Sequence, residues 1–374
     1  MPNYRGQVRT PRKADRLIAG CATQDGTERY RGRFSAVRAE DFYRPLADVL
    51  SVSSIGLGTY LGDCDDKTDA DYAAATMLAL SSGINLLDSA INYRCQRSER
   101  ALGSALRAAV GAGEIRRDEI VVCSKAGYIP LDGTPPPTRR DYDALLKAQY
   151  FDTGIVTPGQ IVAGGHCITP SYLSDQIQRS RRNLGVSTID IYYLHNPEQQ
   201  LDSLSRDEFA AAIREAFSQL EREVADGNIG CYGCATWNGF RAKPGDKSHL
   251  AVSELLKIAE EVGGADHHFR VIQLPISLAM PEAVRIPTQP VGNTLVPLLQ
   301  AASELGMAVI ASAPLMQGQL TQGLPAKLAE AFPLLTTDAQ RAVAFVRSLP
   351  RVTAALVGMK RQPHLQEQLK AVER

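Results

Sequence analysis

The chain has 374 residues, with 41 Lys plus Arg against 41 Asp plus Glu, 44% hydrophobic and 22% charged residues. That balance is the composition of an ordinary folded protein, and it argues against a disordered chain, a collagen-like repeat or a strongly basic nucleic-acid binder. No run approaches the ~18 consecutive apolar residues of a membrane-spanning helix, so the expectation is a cytoplasmic protein with no nucleic-acid and no membrane partner.

Up to Arg38 the chain carries nine Lys or Arg against Asp15, Asp25 and Glu28, mostly without periodicity. Residues 1–45 read as an N-terminal extension that either drapes over the body of the protein or is loosely ordered. Within it, Leu17-Ile18-Ala19-Gly20-Cys21 imitates a lipoprotein cleavage box, but Lys13, Asp15 and Arg16 stand where a signal peptide needs its apolar core. The seven cysteines make no disulfide framework in a chain this long. Cys231-Tyr232-Gly233-Cys234 has redox spacing but falls in a strand, where residues three apart face opposite ways.

From there a series of short apolar, β-branched runs predicts eight strands, near Ser53–Thr59, Ile84–Ala90, Glu119–Ala126, Asp190–Asn196, Ile229–Thr236, Phe269–Ile276, Met307–Ala313 and Val352–Gly358. Runs such as Val271-Ile272-Gln273-Leu274 are apolar on both faces, as parallel strands covered by helices must be. Helical spacing fills the gaps. Thr169-Pro170 opens one segment, Leu173, Ile177 and Leu184 share its face, and Gly185 ends it; Phe209, Ile213, Leu220 and Val224 repeat the pattern before Gly227. Successive strands begin 31 to 45 residues apart, except for one step of 71. The long step is a normal βα unit plus an insertion at about 127–166, containing Pro135-Pro136-Pro137. The fold expected is an α/β (β/α)8 barrel, one catalytic domain over 46–374, since no linker-like composition divides the series.

In such a barrel the chemistry gathers where strands end and βα loops begin. Asp88 ends the second strand, Tyr93 follows it, Lys125 ends the third and His195 ends the fourth. Each has an ordinary structural explanation on its own, as a turn former, a packing ring or a solvated charge. Together they suit proton donation to a carbonyl oxygen as hydride reaches its carbon. A phenol starts near pKa 10, and a neighbouring ammonium would lower it by roughly 1–3 units. Lys125 is that neighbour, Asp88 would orient it, and a neutral His195 would polarise the carbonyl.

The segments Gly83-Ile84-Asn85-Leu86-Leu87-Asp88-Ser89-Ala90-Ile91-Asn92-Tyr93, Ser98-Glu99-Arg100-Ala101-Leu102-Gly103, Val122-Cys123-Ser124-Lys125 and Ile189-Asp190-Ile191-Tyr192-Tyr193-Leu194-His195 resemble the aldo-keto reductase superfamily. The resemblance runs from about Ser53 to the C-terminus, interrupted by the insertion. It implies an NADPH-dependent carbonyl reductase or alcohol dehydrogenase, with Asp88, Tyr93, Lys125 and His195 as the catalytic tetrad.

No Rossmann fingerprint is present, because Gly56-Leu57-Gly58-Thr59-Tyr60-Leu61-Gly62 has the wrong spacing. NADP(H) is instead expected on the late strands. The resemblance assigns cofactor contacts to Gly58 and Thr59, to Thr236 and Gln273, and to Ser312, Pro314, Leu315, Gln317, Gly318 and Leu320 in the loop over the pyrophosphate. It adds Gly358, Lys360, Arg361 and His364 at a helix N-terminus suited to the 2′-phosphate, with Glu367 and Gln368 at the adenine. Tyr60, Tyr128, Trp237 and Asn238 are the expected substrate pocket, and no metal is expected. Ser312 stands where many members have an aromatic ring against the nicotinamide, so either Trp237 or Tyr128 takes the stacking role or the site is more open. The insertion is either a substrate lid or an interface. The substrate expected is a small or medium aldehyde, ketone or sugar-like molecule. Two alternatives are an NADPH-binding regulatory or redox-sensing protein with little turnover, and a paired-carboxylate glycosidase. The second is disfavoured because Asp88 has no acidic partner at another strand end and Glu198 lies in a loop.

Overall fold

Every strand edge in a sheet must find backbone partners, and a barrel satisfies all of them by pairing its last strand with its first. In the computed structural model, which describes residues 17–47 and 49–373, the barrel strands are β1 (Ile55–Gly58), β2 (Leu86–Asp88), β3 (Val121–Ala126), β4 (Ile189–His195), β5 (Ile229–Ala235), β6 (Phe269–Pro275), β7 (Ala308–Ser312) and β8 (Val352–Gly358). They pair in parallel and in chain order, β8 closing on β1. Eight helices follow strands of the same number: α1 (Asp66–Ser81), α2 (Arg97–Gly111), α3 (Pro170–Leu184), α4 (Arg206–Ala225), α5 (Val252–Gly263), α6 (Leu298–Glu304), α7 (Asp338–Ser348) and α8 (Gln362–Lys370). The protein is the expected (β/α)8 barrel. Pro170 opens α3 and Gly185 ends it at φ 71°, but Thr169 occupies the cap position without a side-chain cap.

Alternation along the strands builds two cores. Val121, Cys123, Ile191, Tyr193, Val271 and Ile310 face the barrel axis, while Val122, Ala126, Tyr192 and Leu194 pack under the helices. Cys231 and Cys234 divide between the same two layers. At β5 the register shifts beside Gly233, where a Cβ would sit 1.9 Å from the Val271 carbonyl oxygen, so only glycine lets β6 approach.

The base of the barrel is closed by an antiparallel hairpin, Tyr43–Leu46 with Leu50–Ser53. Its Leu46 and Val52 join the axial core. Asn85 locks it, accepting from Ser53 N at 2.8 Å and donating to the Ser51 carbonyl at 2.9 Å. Ser53, expected at the head of the first barrel strand, therefore belongs to this closure. A helix at Gln24–Phe34 lies beside it, with Arg29 and Arg33 on Glu119 at 3.1 and 2.8 Å and the Tyr30 hydroxyl donating to Leu80 O at 2.6 Å. Residues 17–45 thus drape across the barrel base. The basic residues expected at Arg5, Arg9, Arg12, Lys13 and Arg16 lie outside the described residues.

The insertion carries a helix at Arg139–Leu146 and buries Leu146, Tyr150 and Val156. It leans on α3, where Ser171 Oγ donates to Ile155 O at 2.7 Å. A second hairpin, Pro287–Val291 with Thr294–Pro297, precedes α6.

Candidate active site

With the base sealed, the open end of the barrel is the carboxyl end of its strands, and it holds a cavity of about 1070 Å³. The same alternation that points Val121 and Cys123 inward points Lys125 inward. It does likewise for Asp88 beyond Leu86, His195 beyond Tyr193, Gln273 beyond Val271 and Ser312 beyond Ile310. The top layer of the core is therefore polar.

Lys125 is fully buried beneath the cavity floor, with Nζ 2.5 Å from Asp88 Oδ1 and donating to the Ser89 carbonyl at 2.7 Å. Gln273 Nε2 donates to the other Asp88 oxygen at 3.0 Å. Tyr93 stands over Lys125, its ring centroid 5.0 Å from Nζ, edge-on to Tyr60 at 5.0 Å and to His195 at 5.8 Å. Burial works to lower the Lys125 ammonium, but the Asp88 carboxylate and the neighbouring phenol outweigh it and hold the amine above its ordinary value. Burial likewise dominates at Tyr93 and lifts the phenol, with Lys125 pulling it down. The net lowering expected from the sequence is therefore not met in the protein alone: the ammonium acts in the expected direction, and desolvation exceeds it. Burial, then the Lys125 charge, keep His195 neutral. Its Nδ1 is buried without a partner among the described residues, which leaves Nε2 for the cavity.

His195 is held from behind by the end of the insertion. His166, fully buried, has Nε2 2.8 Å from the His195 carbonyl and Nδ1 2.7 Å from the Gln200 amide nitrogen. That pair of partners fixes the proton on Nε2, and burial pushes the imidazole down to about 4. Gly127 makes the fit possible, because a Cβ there would lie 2.3 Å from His195 O and 2.8 Å from His166 Nε2. Tyr128 stacks edge-on against both histidines at 5.1 Å, and its hydroxyl accepts from Asn196 Nδ2 at 2.7 Å. Tyr128 is thereby fixed on the His195 side, whereas Trp237 is 42% exposed at the β5 rim.

Along the other half of the cavity the end of β1 and the ends of β5 to β8, with the loops after them, contribute the residues expected there. Gly58, Thr59, Tyr60, Thr236, Trp237, Asn238, Gln273, Ser312, Pro314, Leu315, Gln317, Gly318, Gly358, Lys360, Arg361, His364, Glu367 and Gln368 all line it. Leu320 does not: its backbone nitrogen turns back to Leu315 O at 3.2 Å, closing the loop rather than facing the cleft. Lys360 and Arg361 immediately precede α8, and the Gln368 Oε1 is buried without a partner among the described residues.

The sequence reading passed over several lining residues, among them Asn92, Asn196, Asp202 and, most consequentially, Glu198. Although Glu198 lies in a loop beyond the strand end, it borders the same cavity and is 6% exposed. Its Oε1 accepts from the backbone nitrogens of Trp237, Asn238 and Gly239 at 3.0, 3.0 and 3.2 Å, so it shapes the β5 turn that presents two cavity residues. Burial lifts its carboxyl while those three donors oppose the shift. Its signal was faint: one acid inside the turn Asn196-Pro197-Glu198.

A barrel with a buried ammonium–carboxylate pair under a tyrosine, and a neutral histidine beside them, defines a candidate enzyme whose site sits at the barrel mouth. The sequence profile of the Aldo/keto reductase family matches residues 54–243, and the chain belongs to that family. It is 25% identical over 193 residues to a 6-dehydroglucose reductase of Agrobacterium fabrum, covering 51% of this chain and 52% of that protein. It is 28% identical over 186 residues to a D-threo-aldose 1-dehydrogenase of a Pseudomonas species, covering 49% and 50%. The chain is thus aligned with about half the length of these curated relatives. Among solved structures, an aldo/keto reductase from Klebsiella pneumoniae in complex with NADP and acetate is 19% identical, with a TM-score of 0.58 over 88% of this chain and 89% of that one. An aldo-keto reductase from Bacillus halodurans gives 18% and 0.56 over 88% and 90%. These likenesses carry the fold.

Proposed function

We propose that the protein is an NADP(H)-dependent oxidoreductase that reduces an aldehyde or ketone, or oxidises the matching alcohol or sugar, with Tyr93 as the acid and base. The observation that carries the reading is the Lys125–Asp88 pair, buried at 2.5 Å beneath Tyr93 with His195 on the same cavity. Structural ion pairs are common, but one that ends in a phenol facing a cleft has a chemical use.

The cavity fits a dinucleotide. Its volume of about 1070 Å³ stands at the upper end of small-molecule sites, roughly 300–1,000 Å³. Two cations precede the α8 N-terminus, where helix dipole and charge both favour an anion. The unpartnered Gln368 oxygen would accept from an adenine amino group, and Gln273 and Thr236 would hold the carboxamide end. When bound, the reduced nicotinamide supplies hydride. Tyr93 gives its proton to the substrate oxygen, and Lys125, kept charged by Asp88, stabilises the phenolate left behind. Neutral His195 donates from Nε2 to the same oxygen and so orients the carbonyl.

Both curated relatives named above act on sugars, which favours a sugar or sugar-derived carbonyl as substrate. NADPH consumption across a panel of aldehydes, ketones and sugars tests the reading. Multiple turnovers on one class are expected. Cofactor binding with stoichiometric oxidation and no turnover would replace it with the regulatory or redox-sensing alternative.

A further inference from the structure

The Cys231–Cys234 spacing does not bring two thiols together, but two cysteines 31 residues apart do meet. Cys64 Sγ lies 3.5 Å from Cys95 Sγ, and both are free thiols. Cys64 is in the β1–α1 loop and is half-buried; Cys95 is 6% exposed and follows Tyr93 by two residues. We infer that Cys64 and Cys95 form a reversible dithiol–disulfide site, oxidised by a hydroperoxide, that ties the Tyr93 turn to the β1–α1 loop.

The backbone already holds the two loops in register. Arg94, Cys95 and Gln96 are three consecutive non-glycine residues at positive φ, of 48°, 54° and 68°. Such a run persists only where its surroundings over-determine it. Arg94 supplies much of that restraint, donating from Nε to Asp63 O at 2.8 Å and from Nη2 to Asp69 Oδ1 at 2.5 Å. On the far side Gln96 Nε2 donates to Leu131 O at 3.0 Å, and Gly133 N to Cys95 O at 3.0 Å. Arg94 Nη2 also donates to Asp65 O at 3.3 Å, so both residues flanking Cys64, 63 and 65, are bonded to the residue preceding Cys95. A disulfide requires an S–S distance of about 2.05 Å, so the sulfurs must close by about 1.5 Å.

Exposure sets the order of events. Cys64 is the sulfur that solvent reaches, while burial and the adjacent Cys64 sulfur push the Cys95 thiol up to about 12. The Cys64 thiolate attacks one oxygen of the hydroperoxide. An S–O bond forms, the O–O bond breaks, and the other oxygen leaves as alcohol or water after taking a proton. Cys95 sulfur then attacks Cys64 sulfur, forming S–S and expelling hydroxide, which combines with the Cys95 proton as water. Two thiols lose two electrons and the peroxide gains them. A dithiol such as dithiothreitol reverses the change.

The test is chemical and requires no turnover, so it stands apart from the oxidoreductase assignment. Native wild type, C64S and C95S are treated with hydrogen peroxide, quenched, denatured, and analysed by thiol titration and peptide mass mapping. Wild type should lose two of its seven thiols and yield one cross-linked peptide pair joining Cys64 to Cys95, lighter by two hydrogens and restored by dithiothreitol. C64S, whose altered side chain is half-buried and whose folding is checked by circular dichroism, should form no disulfide. Full retention of both thiols, over-oxidation of Cys64 without a link to Cys95, or an equal disulfide yield in C64S would overturn the inference.

Discussion

Replacing Lys125 by methionine keeps the volume of the side chain and deletes its charge. The ammonium is fully buried and holds Asp88 Oδ1 at 2.5 Å and the Ser89 carbonyl at 2.7 Å, so its loss leaves a carboxylate that is 4% exposed with one donor, Gln273 Nε2. Removing one partner of a buried pair costs about 3–5 kcal/mol, because the surviving charge is uncompensated. The retained Gln273 bond places K125M near 3 kcal/mol. At about 2 °C per kcal/mol for a chain of this size, its Tm should fall by ~6 °C. The double variant D88N/K125M removes both charges and should recover at least half of that loss. Thermal melts of the three proteins followed by circular dichroism, without cofactor, measure both effects. A K125M melt within 1 °C of wild type, or a double variant that is less stable than K125M, would show that the pair does not carry the buried charge in the way described.

Three further outcomes follow from other parts of the site. His166 is fully buried with its pKa at about 4 against 6.5. The unfolded chain therefore binds the extra proton, and stability present above pH 6.5 is lost as pH falls towards 4, by about 2 kcal/mol at pH 5. Between pH 7 and 5, H166Q should lose about that much less stability than wild type in urea titrations; parallel losses would contradict the burial argument. K360A/R361A should weaken NADPH binding by ~10–100-fold and NADH far less, as befits one or two charge-assisted phosphate contacts. Equal losses for the two cofactors would remove both residues from phosphate recognition. E198A should raise KM by about tenfold, since three backbone donors lose their acceptor, while E198Q keeps that oxygen and stays near wild type. Matched kinetics in E198A and wild type would contradict a positioning role.

The barrel was legible because its signals are local. Strands such as Val352–Gly358 are apolar on both faces and evenly spaced, and residues at their ends inherit their direction from the pleat, so Asp88, Lys125 and His195 could be placed on one rim, whereas Gln273 was reached only through the family resemblance. What escaped notice depends on contacts between distant segments. The hairpin at residues 43–53 owes its position to Asn85 and to axial burial of Leu46 and Val52, which no periodicity encodes. The polar helix at Gln24–Phe34 is fixed by Arg29 and Arg33 on Glu119, some 90 residues away in the chain. The hairpin before α6 had a usable signal in Gly292-Asn293, a two-residue turn flanked by Val291 and Thr294. Glu198 and His166 act through backbone groups of other loops, and spacing alone does not reveal such partners. The expected acidity of Tyr93 failed for a related reason: the charge of Lys125 could be inferred from residue type, but the desolvation that outweighs it is a property of the packed site.

The central claim is that Tyr93 is the proton donor over a buried ammonium. Y93F should bind NADPH as wild type does in a fluorescence titration, yet reduce the best substrate of the panel ~10²–10⁴-fold more slowly. Wild-type turnover by a folded Y93F protein would contradict it.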